Sequence, residues 1–255
     1  MAEERQTPLH GKGFWIAGIH PVREALRSRG ASAVELLVAR QDPRIQECLD
    51  LAESQGIPVL RVDRHQIHQK TGHEHHQGIA LQVTSFPYAS LETLLGAGEG
   101  LGTLFLILDN IQDPQNLGAL IRSAAFFGAA GVILPRDRSA GVTTTVVQVS
   151  AGGASVLPIA QVTNLARALI RMKESGFWIV GLDSAGEKSL YEVDLTVPVG
   201  LVVGNEEKGI RPLVKKLCDF CVRIPGAARI DSLNAAAAGA IAMAELERQR
   251  RFNRP

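Results

Sequence analysis

A chain of 255 residues with 27 basic and 26 acidic side chains carries a formal charge of +1, which argues against wholesale electrostatic capture of nucleic acid but leaves room for a local basic patch. Three cysteines do not make a disulfide framework, no apolar run reaches the roughly eighteen residues of a membrane span, and the opening MAEERQTPLHGKG lacks the apolar core of a signal peptide, so the cytoplasm is the expected compartment. All seven histidines lie in the first 76 residues, so chemistry in the remainder must do without an imidazole base or ligand, which excludes serine-histidine hydrolases and most zinc hydrolases there.

In chain order, FWIAGIHPVREALRSRGASAVELLVAR predicts an amphipathic helix from about Pro21 and then a strand, ELLVA. IQECLDLAESQGIPVLRV predicts helix, glycine turn and strand, and this small α/β unit ends near HQGIALQVTS. His73, His75 and His76 fall in a polar loop with Gly72 and Glu74 and no cysteine pair, so RNA contact or solvation is expected of them and metal binding is not. Residues 86–102, FPYASLETLLGAGEGLG, hold one possible helical turn and then a glycine-rich stretch, which places a linker between domains at 1–85 and 103–255.

The second part alternates strand and helix: TLFLILD, a helix after DNIQDPQNLG, AGVIL, a polar segment, VLPIA, NLARALIRMKESG, FWIVGLD, GLVVG, GIRPLVKKLCD, CVRIP and a long last helix. Such alternation predicts a mostly parallel sheet covered by helices. No G-x-G-x-x-G follows its first strand, which argues against a Rossmann dehydrogenase. Cys218 and Cys221 form C-x-x-C without a second pair, so ordinary packing is expected of them.

Three motifs in this part carry chemistry. Asp113 can cap the helix after TLFLILD and Pro114 suits its first turn, while Arg122 is the only charge between Leu117 and Ala130. A guanidinium is costly to bury alone, so Arg122 must reach a sheet edge, a phosphate or a carboxylate; the plain alternative is a structural clamp on a neighbouring acid. In LVVGNEEKGI, Gly204 ends a strand, Gly209 is expected to open a helix, and Glu206 places a carboxylate at the strand end. In VRIPGAARIDSLNAAAAGAIAMAELERQRR, Asp231 or Ser232 is expected to cap the last helix, with Asn234 in its first turn. The small face of Ala235, Ala236, Ala238, Gly239 and Ala242 points to tight packing in the core or at a dimer interface. The tail Arg248, Arg250, Arg251 and Arg254 is available to phosphate, or simply to water.

D-P-x-N-x-G-x-x-x-R-[ST], G-x-E-x-x-G and S-L-N, together and in this order over about residues 103 to 251, resemble the SpoU, or TrmH-type, branch of the SPOUT RNA methyltransferases. LPRDRSAGVTTT and VSAGGASVLPIAQVTNLARAL further resemble the RlmB subgroup, which methylates the ribose 2′-hydroxyl of a guanosine in 23S rRNA. AGIHPVREAL and HQGI resemble that subgroup's N-terminal RNA-binding domain, similar in fold to a ribosomal-protein module. The resemblance implies a trefoil-knotted α/β catalytic domain, an exception to the rule against knots. It also implies a homodimer, and S-adenosylmethionine held around Gly204, Ile224 and Leu233.

The same resemblance implies an active site of Asn116, Arg122, Glu206, Ser232 and Asn234, with no metal. Because a guanidinium is a poor base, Arg122 is expected to stabilise the developing alkoxide and grip the adjacent phosphate while a phosphate oxygen or water takes the proton. Gln148 stands where many relatives have lysine, and Ala235-Ala236 where valine and serine are common; both changes bear on RNA contacts and packing. Other substrates and roles compatible with these motifs are tRNA 2′-O-methylation and non-catalytic RNA binding in ribosome assembly.

Overall fold

Two runs in the first unit, LLV at 36–38 and IAL at 79–81, are apolar at successive positions, and strands of that kind must bury both faces. The computed structural model, which describes residues 13–27, 33–40, 42–72, 76–97, 103–227 and 232–252, shows how they do so. The chain divides into two units, Met1–Pro87 and Tyr88–Pro255.

The first unit contains, in chain order, β1 (Phe14–Ala17), α1 (Ile19–Arg27), β2 (Ala33–Val38), α2 (Pro43–Ser54), β3 (Val59–Arg61), α3 (Arg64–Thr71) and β4 (Ile79–Val83). Its sheet order is β1-β4-β2-β3, with β2 and β3 parallel and the other pairs antiparallel. Leu36, Val38, Ile79 and Leu81 face one way, into a core with Val22, Leu26 and Ile45 of α1 and α2. Their neighbours Leu37 and Ala80 face the other way, against Ile67 of α3. The helix expected from Pro21 starts at Ile19, and α3 is an element the apolar pattern does not reveal, since Ile67 is its one buried residue. The legible sign is instead Asp63-x-x-Gln66, a capping box in which Asp63 accepts from Gln66 N and Gln66 accepts from Asp63 N. His76 is 2% exposed and its Nδ1 accepts from Gly78 N at 3.1 Å, which corrects the expectation of RNA contact or solvation: it closes the turn into β4. His73 and His75 lie outside the described residues.

The second unit contains α4 (Leu91–Ala97), β5 (Leu104–Asp109), α5 (Pro114–Phe126), β6 (Gly131–Pro135), α6 (Thr144–Val149), α7 (Gly153–Val156), β7 (Ile159–Val162), α8 (Leu165–Glu174), β8 (Trp178–Leu182), β9 (Lys188–Ser189), β10 (Val199–Gly204), α9 (Pro212–Leu217), β11 (Phe220–Arg223) and α10 (Ala235–Phe252). The stretch expected to be a linker therefore supplies a helix, whose Leu94 is 1% exposed in the core of this unit. All strands run parallel in the order β7-β6-β5-β10-β8-β11-β9. From β5 the chain proceeds outward through β6 and β7, then returns to build the other half from β8 to β11. The strand order thus switches direction between β5 and β10, the place where open α/β sheets leave a crevice at their carboxyl ends.

The small face of α10 is used inside this unit. A Cβ on Gly239 would lie 2.5 Å from Leu120 Cδ2 on α5, so only glycine lets the helices approach this closely, and Ala235 and Ala242 are buried beside it. The tail of α10 is also engaged. Arg248 pairs with Glu245 at 2.7 Å and Arg251 with Glu247 at 2.5 Å. Arg250 donates to the carbonyls of Leu195, Val197 and Thr103 at 3.2 to 3.3 Å, and burial pulls its guanidinium down to about 10. Arg250 is structural here, whereas Arg248 and Arg251 pair at the surface with their side chains 53% and 73% exposed, and Arg254 lies outside the described residues. Cys218 and Cys221 pack against the open side of Gly181, and burial pushes the Cys218 thiol up to about 12, as suits an inert packing residue. No described helix is long and apolar enough to cross a membrane, and no described group of His, Cys, Asp or Glu could hold a metal ion.

Candidate active site

The β5/β10 register pairs Asp109 with Gly204, which sets the first two motifs side by side although 95 residues separate them. Asp109 is fully buried, and its carboxylate accepts from Arg211 N at 2.8 Å, Nε at 2.6 Å and Nη2 at 2.6 Å. A carboxylate at that depth is tolerated only with such charge-assisted bonds, so the pair ties the end of β5 to the chain leaving β10. Sequence reasoning missed this pair; an acid closing an otherwise apolar strand was its visible trace.

Beyond the strands, two turns face each other. Asn110 sits at φ 65°, in the left-handed region, and its backbone oxygen accepts from Asn205 Nδ2 at 3.2 Å. Asn205 Oδ1 in turn accepts from the backbone N–H groups of Glu207 and Lys208 at 3.0 and 3.2 Å, and its own N–H and C=O exchange bonds with Gly209. The turn bearing Glu206 is therefore closed on itself and stitched to the turn after β5. A Cβ on Gly204 would come within 2.4 Å of the Gly209 carbonyl carbon, so the space was cleared for the chain's own backbone. Gly209 lies in this turn at φ 63°, and α9 opens at Pro212, not at Gly209 as the sequence suggested.

Glu206 Oε1 is the meeting point of the three motifs. It accepts from Asn116 Nδ2 at 2.9 Å, from Ala235 N at 3.2 Å, and from Asn234 Nδ2, which also reaches Asn116 Oδ1 at 2.8 Å. Asn116 is placed by α5, which Asp113 caps through Gln115 N at 2.9 Å with Pro114 in the first turn. Asn234 Oδ1 accepts from Ala236 N and Ala237 N at 2.9 and 3.2 Å, so Asn234 itself caps α10. This replaces the expected cap at Asp231 or Ser232: Asp231 lies outside the described residues, and Ser232 is exposed three residues before the helix. A carboxylate at the start of α10 also meets the positive end of its dipole.

Arg122 stands apart from this network. Six residues beyond Asn116 on α5, at about 100° per residue, its side chain leaves a face roughly 120° away. It is exposed and has no ion pair or hydrogen bond among the described residues, so the structural-clamp alternative finds no acid to clamp. Of the five predicted catalytic residues, the structure thus joins Asn116, Glu206 and Asn234 and leaves Arg122 and Ser232 facing solvent. Gly204 and Ile224 lie at the ends of β10 and β11, on either side of β8, and Leu233 is 41% exposed just before α10. A cleft of about 180 Å³ between the facing turns is lined by Asn110, Gln112, Asp113, Asn116, Glu206 and Lys208, among others. Gln148, the departure from lysine, is exposed on α6.

Residues 103–244 match the SpoU rRNA Methylase family, and residues 15–89 match a model described as RNA 2'-O ribose methyltransferase substrate binding. An uncharacterized tRNA/rRNA methyltransferase of Mycolicibacterium paratuberculosis is 44% identical over 240 residues, covering 92% of this chain and 77% of that protein. Among solved structures, the SpoU methyltransferase AviRb of Streptomyces viridochromogenes aligns with a TM-score of 0.67 at 25% identity, over 95% of this chain and 91% of its own. An AdoMet-bound rRNA methyltransferase of Sinorhizobium meliloti gives 0.65 at 27% identity, over 93% and 88%. With the three motifs inside the matched stretch and their side chains meeting at Glu206, the chain belongs to the SpoU rRNA methylase family of RNA methyltransferases and carries that family's substrate-binding unit ahead of the methylase unit.

Proposed function

We propose that the protein transfers a methyl group from S-adenosylmethionine to the ribose 2′-hydroxyl of a structured RNA, with a guanosine of 23S rRNA as the substrate. The observation that carries this reading is the convergence of Asn116, Glu206 and Asn234 from three distant motifs on one carboxylate oxygen. RNA binding alone requires no such closed network of amides, which disfavours a non-catalytic assembly factor.

The cofactor fits the carboxyl edge of the sheet, where Gly204, Ile224 and Leu233 offer backbone groups and two apolar side chains, one of them 41% exposed. When bound there it supplies an electrophilic methyl on a sulfonium. Asn116 and Asn234, held by Glu206, orient the ribose and exclude loose rotamers; positioning of this kind is worth up to roughly 7 to 11 kcal/mol. Arg122 stays charged and stabilises the oxygen as it loses its proton, gripping the adjacent phosphate, while the proton passes to a phosphate oxygen or water. Its freedom from intrachain partners supports that role. Ser232, exposed beside Leu233, is left to act on the RNA with no hydrogen bond inside the chain among the described residues.

We read the methylase unit as trefoil-knotted. The return of α10 over α5 and β10, where a Cβ on Gly239 would lie 2.5 Å from Leu120 Cδ2 and 3.6 Å from Val203 Cγ2, is consistent with this. A homodimer belongs to the same reading, but the small face of α10 packs within the chain; the exposed apolar side chains of Phe126, one turn beyond Arg122 on α5, at 82%, and of Val156 on α7, at 74%, are the better surface for a second copy. The name of the mycobacterial relative, a tRNA/rRNA methyltransferase, favours tRNA as the second substrate class.

Labelled S-adenosylmethionine, large-subunit rRNA and bulk tRNA test the proposal together. Wild type should label one rRNA guanosine at its 2′-oxygen, and Arg122→Ala should lose about 10²- to 10³-fold in rate with cofactor affinity retained and RNA affinity lowered by no more than roughly one phosphate contact. Label on tRNA alone overturns the substrate, and label on neither overturns the reading.

A further inference from the structure

The substrate-binding unit has a concave feature of its own. In β2 and β3, Val38 stands opposite Arg61, so both parallel strands end together and their exits open at one edge of the sheet. Between those exits lies a cleft of about 440 Å³, walled by Val38 and Val62 and lined by Arg40, Arg61, Asp63 and Gln66. This is ample for one nucleotide of a longer chain, since ligand sites run from about 300 to 1,000 Å³.

The donors and acceptors around it do not balance. Both acids are engaged: Asp42 meets Arg40 Nη2 at 2.6 Å and Arg44 Nη2 at 2.9 Å, and Asp63 caps α3 through Gln66 N at 2.7 Å. Gln66 Oε1 takes Asp63 N at 2.9 Å, which leaves its amide nitrogen as the outward donor. Arg61 is exposed and has no ion pair or hydrogen bond among the described residues. Arg40 is held by Asp42 through Nη2, and its Nε is buried under the turn at Gly78 with no partner, so only the outer part of its guanidinium faces the cleft. The stem of Arg40 crosses the HQGI turn at Gly78, which sits at φ 80° and whose missing Cβ would lie 3.0 Å from Arg40 Cγ. What remains open is the Arg61 guanidinium, the 35% of the Arg40 side chain left exposed and an amide, all donors, which is the chemistry of an anion site.

We propose that this cleft grips the phosphodiester backbone of the substrate RNA, with Arg61 and Arg40 on phosphate oxygens. The proposal rests on reading the first unit as the substrate-binding unit. RNA is favoured over an acidic peptide because an edge cleft with two arginine forks suits a polymer carrying an anion at every residue.

The test uses Arg61→Glu and Arg61→Lys in the full chain, with a large-subunit rRNA fragment titrated across salt concentrations and then methylated. Arg61→Glu should weaken binding about tenfold near 0.1 M salt and lower the salt slope by roughly one phosphate contact, while Arg61→Lys recovers most of that slope. The KM for RNA should rise several-fold more than kcat falls. A protein that methylates RNA but shows the same slope and KM in Arg61→Glu overturns this proposal and leaves the parent reading intact. A wild type that binds no RNA at any salt overturns both. Inorganic phosphate competing as strongly as the RNA fragment would mark a small-anion site and overturn the proposal as well.

Discussion

The two units treat polar groups in opposite ways. In the methylase unit, the groups at the sheet's carboxyl edge saturate one another: Glu206 accepts from three N–H donors, Asn205 bridges two turns, and Asp109 holds Arg211 by three bonds. In the substrate-binding unit, the equivalent edge leaves Arg61 without a partner and Arg40 half satisfied. The difference matches the role proposed for each edge. On the proposed reading, the amides that orient the ribose gain from being fixed before substrate arrives, because reorganisation then costs nothing at the transition state, whereas Arg122, which grips phosphate, is left free. A surface that receives a long anion gains from charges free to adjust.

Breaking the most deeply buried bond should give the largest effect. Arg211→Ala leaves the Asp109 carboxylate buried without its cation, and about 3 to 5 kcal/mol should be lost from the methylase unit. Hydrogen exchange should show that loss in β5 and β10 while β2 and β4 keep their protection. Asn234→Ala comes next: it removes the α10 cap, costing about 1 kcal/mol in chemical denaturation, and should cut kcat far more than that stability loss explains, with RNA affinity unchanged. The reverse pattern, with affinity lost and kcat kept, would place Asn234 in binding and erase the contrast between the units.

The smallest effect belongs to the substrate-binding unit. Hydrogen bonds from the Arg44 side chain and backbone hold the Asp42 carboxyl at about 2, below its ordinary 3.8. A depressed acid contributes stability above its unfolded value and loses it as pH falls through the folded one, so this contribution should be present at pH 4 and above and fade between about pH 4 and 2. Titration of the Asp42 carboxyl by NMR checks the window; a midpoint near 4 would mean that Arg44 does not hold it.

Much of the site was readable in the residues. Asp113 and Pro114 announced the start of α5, the apolar runs announced β5 and β10, and the three motifs named Asn116, Glu206 and Asn234. What failed had a physical cause in each case. The helix α3 buries only Ile67, so periodicity was silent and only its capping box spoke. The cap of α10 was placed too early because Asp, Ser and Asn all cap well, and the choice fell to the residue that also reached Glu206. His76 looked solvated because a polar loop surrounds it in sequence, yet it is buried in space.

By itself the sequence determined the local matters: which runs are buried strands, where α5 begins, and which motifs carry amides, an acid and a free arginine. Only the tertiary structure decided which of these touch. The pairing of β5 with β10 is a parallel register between segments 95 residues apart, and no local propensity encodes it. That register, together with the close approach of α10 to α5 at Gly239, brings Asn116, Glu206 and Asn234 to one oxygen and leaves Arg122 on another face. Packing made those choices, because close contact between distant segments depends on the shape of the whole core.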